Sequence, residues 1–161
     1  MIVYIEFTRP LKCKPLSYLI RMIEGTKYSH VRLRLNDIVY EASGTSVHFK
    51  GKLAQNYLPT EILHSYKFDL SQQEYAKLLK LCMDNAGIEY GYKQLIGILL
   101  VRMFKLKKNP FSDGRKSQVC SEIVGRFLKE ILQIGNKLDL DIAGPKAIKE
   151  VLDNNNNIWR K

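Results

Sequence analysis

The chain has few cysteines and no long hydrophobic run. Its 161 residues include only three cysteines, Cys13, Cys82 and Cys120, with no Cys-x-x-Cys spacing. Such an odd, unpaired set argues against a disulfide framework and indicates a reducing compartment. The longest apolar run, LIGILLV, is far shorter than the ~20 residues that a membrane-spanning helix needs. The opening stretch MIVYIEFTRP lacks the basic flank, apolar run and cleavage site of a signal peptide. We therefore expect a soluble, cytoplasmic protein without a transmembrane segment.

Acidic residues are also scarce. The chain has 16 Asp and Glu against 26 Lys and Arg, which leaves a formal net charge of +10. This excess favours an anionic partner, such as nucleic acid, a phospholipid surface or an acidic substrate, without ranking them. Hydrophobic residues make up 45% of the sequence, enough for one domain with a real core. We expect a single domain over residues 1–153, followed by a flexible Asn-rich tail over residues 154–161.

The hydrophobic patterns predict an α+β protein in which an antiparallel sheet packs against helices. Short segments that alternate in polarity or are rich in β-branched and aromatic residues are typical of strands. The predicted strands cover residues 2–7, 29–35, 38–43, 46–51 and 61–70. Segments with helical apolar spacing, several of them bounded by Ser, Pro or Gly, predict helices. The predicted helices cover residues 15–25, 72–87, 92–104, 117–128 and 144–152.

The second and third predicted strands form a hairpin whose register places two functional side chains together. If Asn36 and Asp37 are a two-residue turn, Leu35 faces Ile38, Arg32 faces Glu41 and His30 faces Ser43. His30 and Glu41 are then diagonal neighbours on one face, roughly 7 to 8 Å apart at the backbone. A one-residue slip in register would separate them. The opposite face is apolar and is predicted to point into the core through Val31, Leu33, Leu35, Ile38, Tyr40 and Ala42.

Cys120 lies in the first turn of a predicted helix, within the stretch SQVCSEIVGRFL, and two interpretations compete for it. Its spacing with Ile123, Val124 and Phe127 is typical of a buried apolar stripe, and free cysteines are often buried. Alternatively, it is a nucleophile, because unpaired N–H groups and the helix dipole lower a thiol's pKa at a helix start. In that case His30 would be the base and Glu41 would orient the ring. Backbone N–H groups at the helix start would bind the oxyanion.

The order YSHVRL, then IVYEAS, then QVCSEIV resembles the circularly permuted papain-fold cysteine hydrolases, the YiiX-like branch of the NlpC-type superfamily. The resemblance runs from Tyr28 to about Ile148. It implies a permuted papain-like fold with Cys120 as nucleophile, His30 as base and Glu41 as the orienting residue. It also implies cleavage of an amide or ester bond through an acyl-thioester, in a peptide, cell-wall fragment or lipid acyl substrate, with acyl transfer as a related outcome.

The same resemblance bears on the cleft and on cofactors. The stretch EYGYKQL stands where relatives often have a Tyr-Asp pair, so Tyr90 and Tyr92 match cleft-lining, substrate-binding residues only loosely. No cofactor is implied. Cys, His and Glu are all possible zinc ligands, but no paired ligand spacing predicts a closed metal site.

A binding module is the alternative from a different functional class. The segment from Lys105 to Lys116 is a predicted exposed loop that does not follow from the family pattern. Its cations and nearby aromatic rings could contact phosphates and stack bases, so a basic surface would bind nucleic acid or another anionic ligand. The residues concerned are Arg102, Phe104, Lys105, Lys107, Lys108, Phe111, Arg115 and Lys116. The simpler interpretation is a solvated lysine-rich loop. A third possibility keeps the fold and uses the cleft only to bind a ligand or partner.

Other residues with reactive or ionisable side chains receive simpler assignments. His48 and His64 are predicted to be surface or packing residues, because no partner matches them. Cys82 lies on the apolar stripe of its helix and is predicted to be a core residue. Cys13 lies near a turn, and Glu122 is expected to favour the start of the Cys120 helix electrostatically.

Overall fold

A computed structural model describes residues 1–12, 14–51, 60–114 and 116–157, and these form an α+β fold, as predicted. Their seven strands form one sheet in the order β5-β1-β2-β3-β4-β6-β7. The strands are β1 (Ile2–Pro10), β2 (His30–Leu35), β3 (Ile38–Ser43), β4 (Ser46–Gly51), β5 (Thr60–Asp69), β6 (Glu89–Tyr90) and β7 (Ser117–Gln118). The helices are α1 (Pro15–Glu24), α2 (Gln72–Asn85), α3 (Tyr92–Phe104), α4 (Cys120–Arg126) and α5 (Pro145–Asp153), and a π-helical turn (Phe127–Ile131) continues α4.

The sheet is mixed, which corrects the prediction of an antiparallel one. From β5 to β6 every neighbouring pair described is antiparallel, whereas β6 and β7 run parallel, with Tyr90 opposite Gln118. A parallel pair needs a long crossover between its strands, and here α3 and the basic loop after it provide that connection. The β6–β7 pair leads directly into α4, so it fixes where Cys120 lies.

The β2–β3 hairpin has the predicted register. Leu35 pairs with Ile38 and Leu33 with Tyr40, and Asn36 adopts the left-handed backbone conformation that this tight turn requires, with φ of 54°. The prediction that Ile38 points into the core is wrong, because its side chain is 48% exposed. Ile38 follows the turn directly and pairs with the exposed Gly51 at the end of β4, beyond the reach of the core.

Both faces of the central strands are covered. On one face, apolar side chains of β1, β2 and β3 pack against α2, α4, the π-helical turn and α5 in the main core, which includes Phe7, Leu33, Phe68, Phe127 and Ile148. A second cluster, with Ile20, Leu95, Ile98, Leu99 and Val119, joins α1 to α3. The polar face of the central strands is enclosed as well, since Glu6, Thr8, Arg32 and Glu41 are all buried. Polar groups enclosed in this way need hydrogen-bond partners.

The predicted helices are present with small changes in their bounds. Ser71 forms a capping box with Glu74 at the start of α2, and Leu78 and Cys82 lie on its buried face, as predicted. No helix within the described ranges is long and apolar enough to cross a membrane. Cys13 lies outside the described residues. At the C-terminus, residues 154–157 form a turn in which the Asn155 side chain donates to the Val151 carbonyl at 2.8 Å. The remainder of the predicted flexible tail, residues 158–161, lies outside the described residues.

The basic loop is exposed over residues 105–108 but is anchored by one buried side chain. The Asn109 amide donates to the Gln94 carbonyl at 3.0 Å and to the Asp141 carbonyl at 2.8 Å. A Cβ at Gly97 would come within 1.7 Å of the Asn109 side chain, so glycine is required on the facing turn of α3. The loop therefore has a fixed base, which its lysine-rich composition did not predict.

Candidate active site

His30 and Glu41 form a hydrogen-bonded pair on the polar face of the sheet. His30 begins β2 and Glu41 lies in β3, and the distance between His30 Nε2 and Glu41 Oε2 is 3.0 Å. The other carboxylate oxygen of Glu41 accepts a hydrogen bond from the Ser43 hydroxyl at 2.9 Å. Both oxygens of this buried carboxylate are thus occupied, so the hairpin register does place the two predicted side chains together.

The electrostatic surroundings of Glu41 favour its ionised form. Burial opposes ionisation, but the hydrogen bond from His30, the charge of His30, the Ser43 hydroxyl and the charge of Arg32 together lower the pKa of Glu41 to about 2. Arg32 is itself buried and pairs with Glu6 of β1, with 2.9 Å between Arg32 Nε and Glu6 Oε2. Glu6 also accepts from Arg34 at 2.5 Å, so a buried network extends from β1 to Glu41.

Cys120 is the first residue of α4 and lies beside the His30 ring. Burial lowers the pKa of His30, whereas the neighbouring Cys120 side chain and the hydrogen-bonded Glu41 carboxylate raise it, to a net value of about 10. The sulfur-bearing side chain is only 4% exposed and belongs to the main core. The two interpretations of Cys120 are therefore compatible in one structure, since the residue is buried and also adjacent to an imidazole.

A cavity of about 410 Å³ opens beside the pair and falls within the size range of small-molecule sites. Its walls include His30, Glu41 and Tyr90, together with apolar side chains of α1 and polar side chains of β1 and β4. The charges of Cys120, Tyr92 and Glu41 add to burial in raising the pKa of Tyr90, which places Tyr90 close to the thiol. Tyr92 does not line this cavity; it is exposed, and its hydroxyl donates to the Gly44 carbonyl at 2.8 Å.

Several polar lining residues were not expected at the site. Thr8, Lys14 and Lys50 line the cavity, and so does His48, which was predicted to be a surface or packing residue and pairs directly with Glu41 across β3 and β4. The alternation of Val3, Ile5 and Phe7 with polar residues in β1 was the available signal for a polar face that continues onto β2. His64 instead makes edge-to-face contacts with Phe7 and Tyr28, in agreement with a packing role.

A second buried carboxylate lies two residues after Cys120. Glu122 accepts a hydrogen bond from Gln94 Nε2 at 3.1 Å, and burial is the main cause that raises its pKa to about 6. Glu122 therefore contacts α3 within the protein interior, a role beyond the expected electrostatic support of the helix start. The Ser121 hydroxyl donates to the Ala143 carbonyl at 2.6 Å, which ties α4 to the segment before α5.

Within the described part of the chain, no group of three or more His, Cys, Asp and Glu side chains is arranged to hold a metal ion. Comparison of the chain with protein-family models and with curated proteins gave no match. The functional argument therefore rests on the contacts of Cys120, His30 and Glu41 themselves.

Proposed function

We propose that the protein is a cysteine hydrolase that cleaves an amide or ester bond through an acyl-thioester on Cys120. The observation that carries this proposal is the position of His30, which bonds Glu41 at 3.0 Å and interacts with the Cys120 side chain. A thiol, a base and a group that orients the base are the three requirements of this chemistry. They come from three separate elements, α4, β2 and β3.

The proposed reaction begins from a thiolate–imidazolium pair, in which the proton of the Cys120 thiol has already moved to His30. Glu41 engages Nε2, which leaves Nδ1 to exchange a proton with the sulfur. The Cys120 thiolate attacks the substrate carbonyl, and the resulting tetrahedral intermediate collapses as His30 returns the proton to the leaving amine or alcohol. Water then attacks the thioester and gives its proton to His30, and the acid leaves with restoration of the thiol. An alcohol or amine in place of water would give acyl transfer.

The charges around the ring support this sequence. The pKa of His30 is raised and that of Glu41 is lowered, so an imidazolium flanked by a carboxylate is the favoured arrangement at neutral pH. A protonated ring provides the proton that the leaving group needs, which is general acid catalysis.

The start of α4 provides donors for the oxyanion in this proposal. The N–H groups of Glu122 and Ile123 donate to the Val119 carbonyl, so the amides of Cys120 and Ser121 precede the first bonds of the helix. An N–H beside the nucleophile is a common oxyanion donor. Cys120 is buried and does not itself line the cavity, whereas His30 and Tyr90 do, so this proposal requires the acyl group to approach the sulfur from the side of those two residues.

The chain order of the three residues supports a permuted papain-like arrangement. The proposal includes a cytoplasmic location for the enzyme. In this proposal His30 and Glu41 come first on adjacent strands, and the nucleophile follows on a helix that packs against β2 and β3. The substrate classes that the resemblance implies, peptide or cell-wall fragments and lipid acyl groups, are all compatible with a nucleophile that attacks a carbonyl.

Trapping of the acyl-enzyme tests the proposal. Wild-type protein is mixed with nitrophenyl esters of graded chain length, and intact-mass and peptide mass spectrometry locate the adduct. We expect a burst of nitrophenolate and an acyl group on Cys120, both absent from Cys120→Ala. Cys82→Ala is the matched control and retains the burst, because Cys82 lies in the core away from His30. Absence of a burst and of any adduct in wild-type protein across the ester panel would contradict the proposal.

The basic loop supports a second candidate, binding of nucleic acid. Lys105, Lys107 and Lys108 are exposed, and the nearby Phe104 ring is 62% exposed. Arg115, which the sequence placed in the same set, lies outside the described residues. Binding of a labelled oligonucleotide that weakens with salt, survives Cys120→Ala and is lost on neutralising the three lysines would favour this candidate.

A further inference from the structure

The charge of the cavity wall beside His30 is unbalanced. Among the residues that line the cavity within the described ranges, Glu41 is the one carboxylate, whereas Lys14, Arg32 and Lys50 are cations. Arg32 is paired with Glu6, which does not line the cavity. Lys14 precedes α1 and Lys50 lies near the end of β4, and neither has an ion pair in the part of the chain that the structure describes. Two lysines without ion pairs thus line a cavity whose carboxylate is already paired with His30.

A buried hydroxyl in the same wall has no partner. Thr8 is fully buried and lines the cavity, and among the described residues its Oγ1 has no hydrogen-bond partner. Thr8 pairs directly with His30 across β1 and β2, so this hydroxyl lies beside the proposed base. A buried polar group without a partner is costly and needs an explanation. A hydrogen-bond acceptor on a ligand in the cavity would supply the missing partner, independently of the lysines.

The cavity also has apolar lining residues. Pro10, Leu16 and Ile20 line it together with the two lysines and Thr8, which contribute positive charge and a hydroxyl. A ligand that matches both kinds of residue has a short apolar portion and an anionic group. At about 410 Å³, the cavity accommodates a small molecule or a single chain end rather than a large polymer segment.

From these contacts we infer that the cavity takes a substrate that carries a carboxylate or phosphate group, which Lys14, Lys50 and Thr8 bind beside His30 and Glu41. The identification of the ligand as a substrate rests on the proposed function. The anion site itself is inferred only from the residues that line the cavity. Ammonium groups form charge-assisted hydrogen bonds with such anions, and a hydroxyl adds a directional donor.

A binding experiment without turnover tests the anion site. The Cys120→Ala protein is titrated with glutarate, with inorganic phosphate and with glutaramide, the neutral analogue of glutarate, by calorimetry and by NMR of the His30 ring. We expect glutarate or phosphate to bind at least tenfold more tightly than glutaramide and to weaken with added salt. Comparison of glutarate with phosphate identifies the preferred anion. Equal binding of glutarate, phosphate and glutaramide, or no binding of any, overturns the inference.

Lysine variants locate the site. Lys14→Gln and Lys50→Gln are each expected to lower the affinity for the preferred anion about tenfold, the loss of one charge-assisted hydrogen bond. Lys12→Gln is the matched control, because Lys12 is exposed in the same segment as Lys14 and does not line the cavity. Thr8→Val keeps the shape of a side chain whose hydroxyl has no partner. It is expected to weaken anion binding without lowering the melting temperature. A loss in Lys12→Gln as large as in Lys14→Gln contradicts the assignment.

Turnover separates this inference from the proposed function. Wild-type protein is assayed with the nitrophenyl monoester of glutarate and with the nitrophenyl ester of glutaramic acid, in which an uncharged amide replaces the free carboxylate. A higher kcat/KM for the charged ester, reduced in Lys14→Gln and Lys50→Gln, supports the substrate assignment. Equal kcat/KM for the two esters contradicts the substrate assignment but not the proposed hydrolase function. Anion binding without turnover of either ester contradicts the hydrolase function but not the anion site.

Discussion

Cys82 and Cys120 are both free and buried, yet their surroundings differ completely. Cys82 lies on α2, is fully enclosed and belongs to the main core, where burial raises its pKa to about 12. Cys120 belongs to the same core but begins α4 and adjoins an imidazole whose far side is held by a carboxylate. Burial alone therefore does not distinguish the two cysteines. In the proposed function, the neighbouring imidazole of Cys120 distinguishes them.

Thiol labelling gives the largest expected difference between Cys120 and Cys82. At neutral pH we expect iodoacetamide to modify Cys120 at least a hundredfold faster than Cys82, because the thiolate is the reactive form. Peptide mass spectrometry separates the three cysteines of the chain. In His30→Ala, labelling of Cys120 should slow markedly while that of Cys82 stays unchanged. Equally slow labelling of Cys82 and Cys120 in wild-type protein would remove the distinction between them.

Removal of the Glu41 charge tests whether Glu41 orients the His30 ring and raises its pKa. Glu41→Gln keeps the side-chain size but lowers the pKa of His30, because both the charge and the hydrogen bond of Glu41 raise it. We expect kcat to fall about 10- to 100-fold through lost orientation of the base. The NMR titration of the His30 ring should move to lower pH. Glu61→Gln is the control, since Glu61 pairs with Arg9 on β5 and does not line the cavity. An unchanged titration of His30 in Glu41→Gln would contradict the assignment.

Serine substitutions compare the two cysteines by stability. Cys82→Ser places a hydroxyl in an apolar core and should lower the free energy of unfolding by about 1–3 kcal/mol. Cys120→Ser should cost less, because the adjacent His30 ring can form a hydrogen bond with the new hydroxyl. Urea denaturation of both variants measures the difference. A loss in Cys120→Ser as large as that in Cys82→Ser, or larger, would contradict the expected difference between the two sites.

The two buried glutamates give the smallest expected effect. Glu122 has its pKa raised to about 6 from 4.5, so its protonated form stabilises the fold below pH 4.5 and this contribution is lost as pH rises through 6. Glu122→Gln should therefore raise the free energy of unfolding at pH 8 by on the order of 1 kcal/mol, with little change at pH 4. The new amide can also donate to Gln94 Oε1, which has no partner among the described residues.

Glu41 responds to pH in the opposite direction. Its pKa is lowered to about 2, so its contribution to stability is present above pH 4.5 and is lost as pH falls through 2. Glu41→Gln should consequently lower stability at pH 8, where Glu122→Gln raises it. Exposed Glu89 provides a control for both, through Glu89→Gln. Urea denaturation at pH 4 and pH 8 measures all three variants, and the same sign of change in Glu41→Gln and Glu122→Gln would contradict the contrast.

The parts of the site that depend on local sequence were predictable. The hairpin register follows from a two-residue turn, and it places His30 and Glu41 on one face without any knowledge of the remaining chain. The start of α2 follows from Ser71 and Glu74 in the same way. These features depend on neighbours within a few residues, where turn geometry and capping decide the structure.

The rest depends on pairings between distant segments. No local pattern indicates that Glu6 of β1 neutralises Arg32, or that Lys14 and Lys50 share a cavity with His30. These contacts require β1 to lie between β5 and β2, an arrangement that the amino-acid order does not specify. The parallel pairing of β6 with β7 has the same origin, since each strand has only two residues and too little pattern to predict.

The contact between α4 and β2 joins segments that are far apart in the chain. The hairpin with His30 and Glu41 is synthesised well before Cys120, so the imidazole–carboxylate pair can form before any thiol is present. The thiol reaches the ring only when α4 packs against β2. A fragment that ends before Cys120 would therefore keep the pair and lack the sulfur.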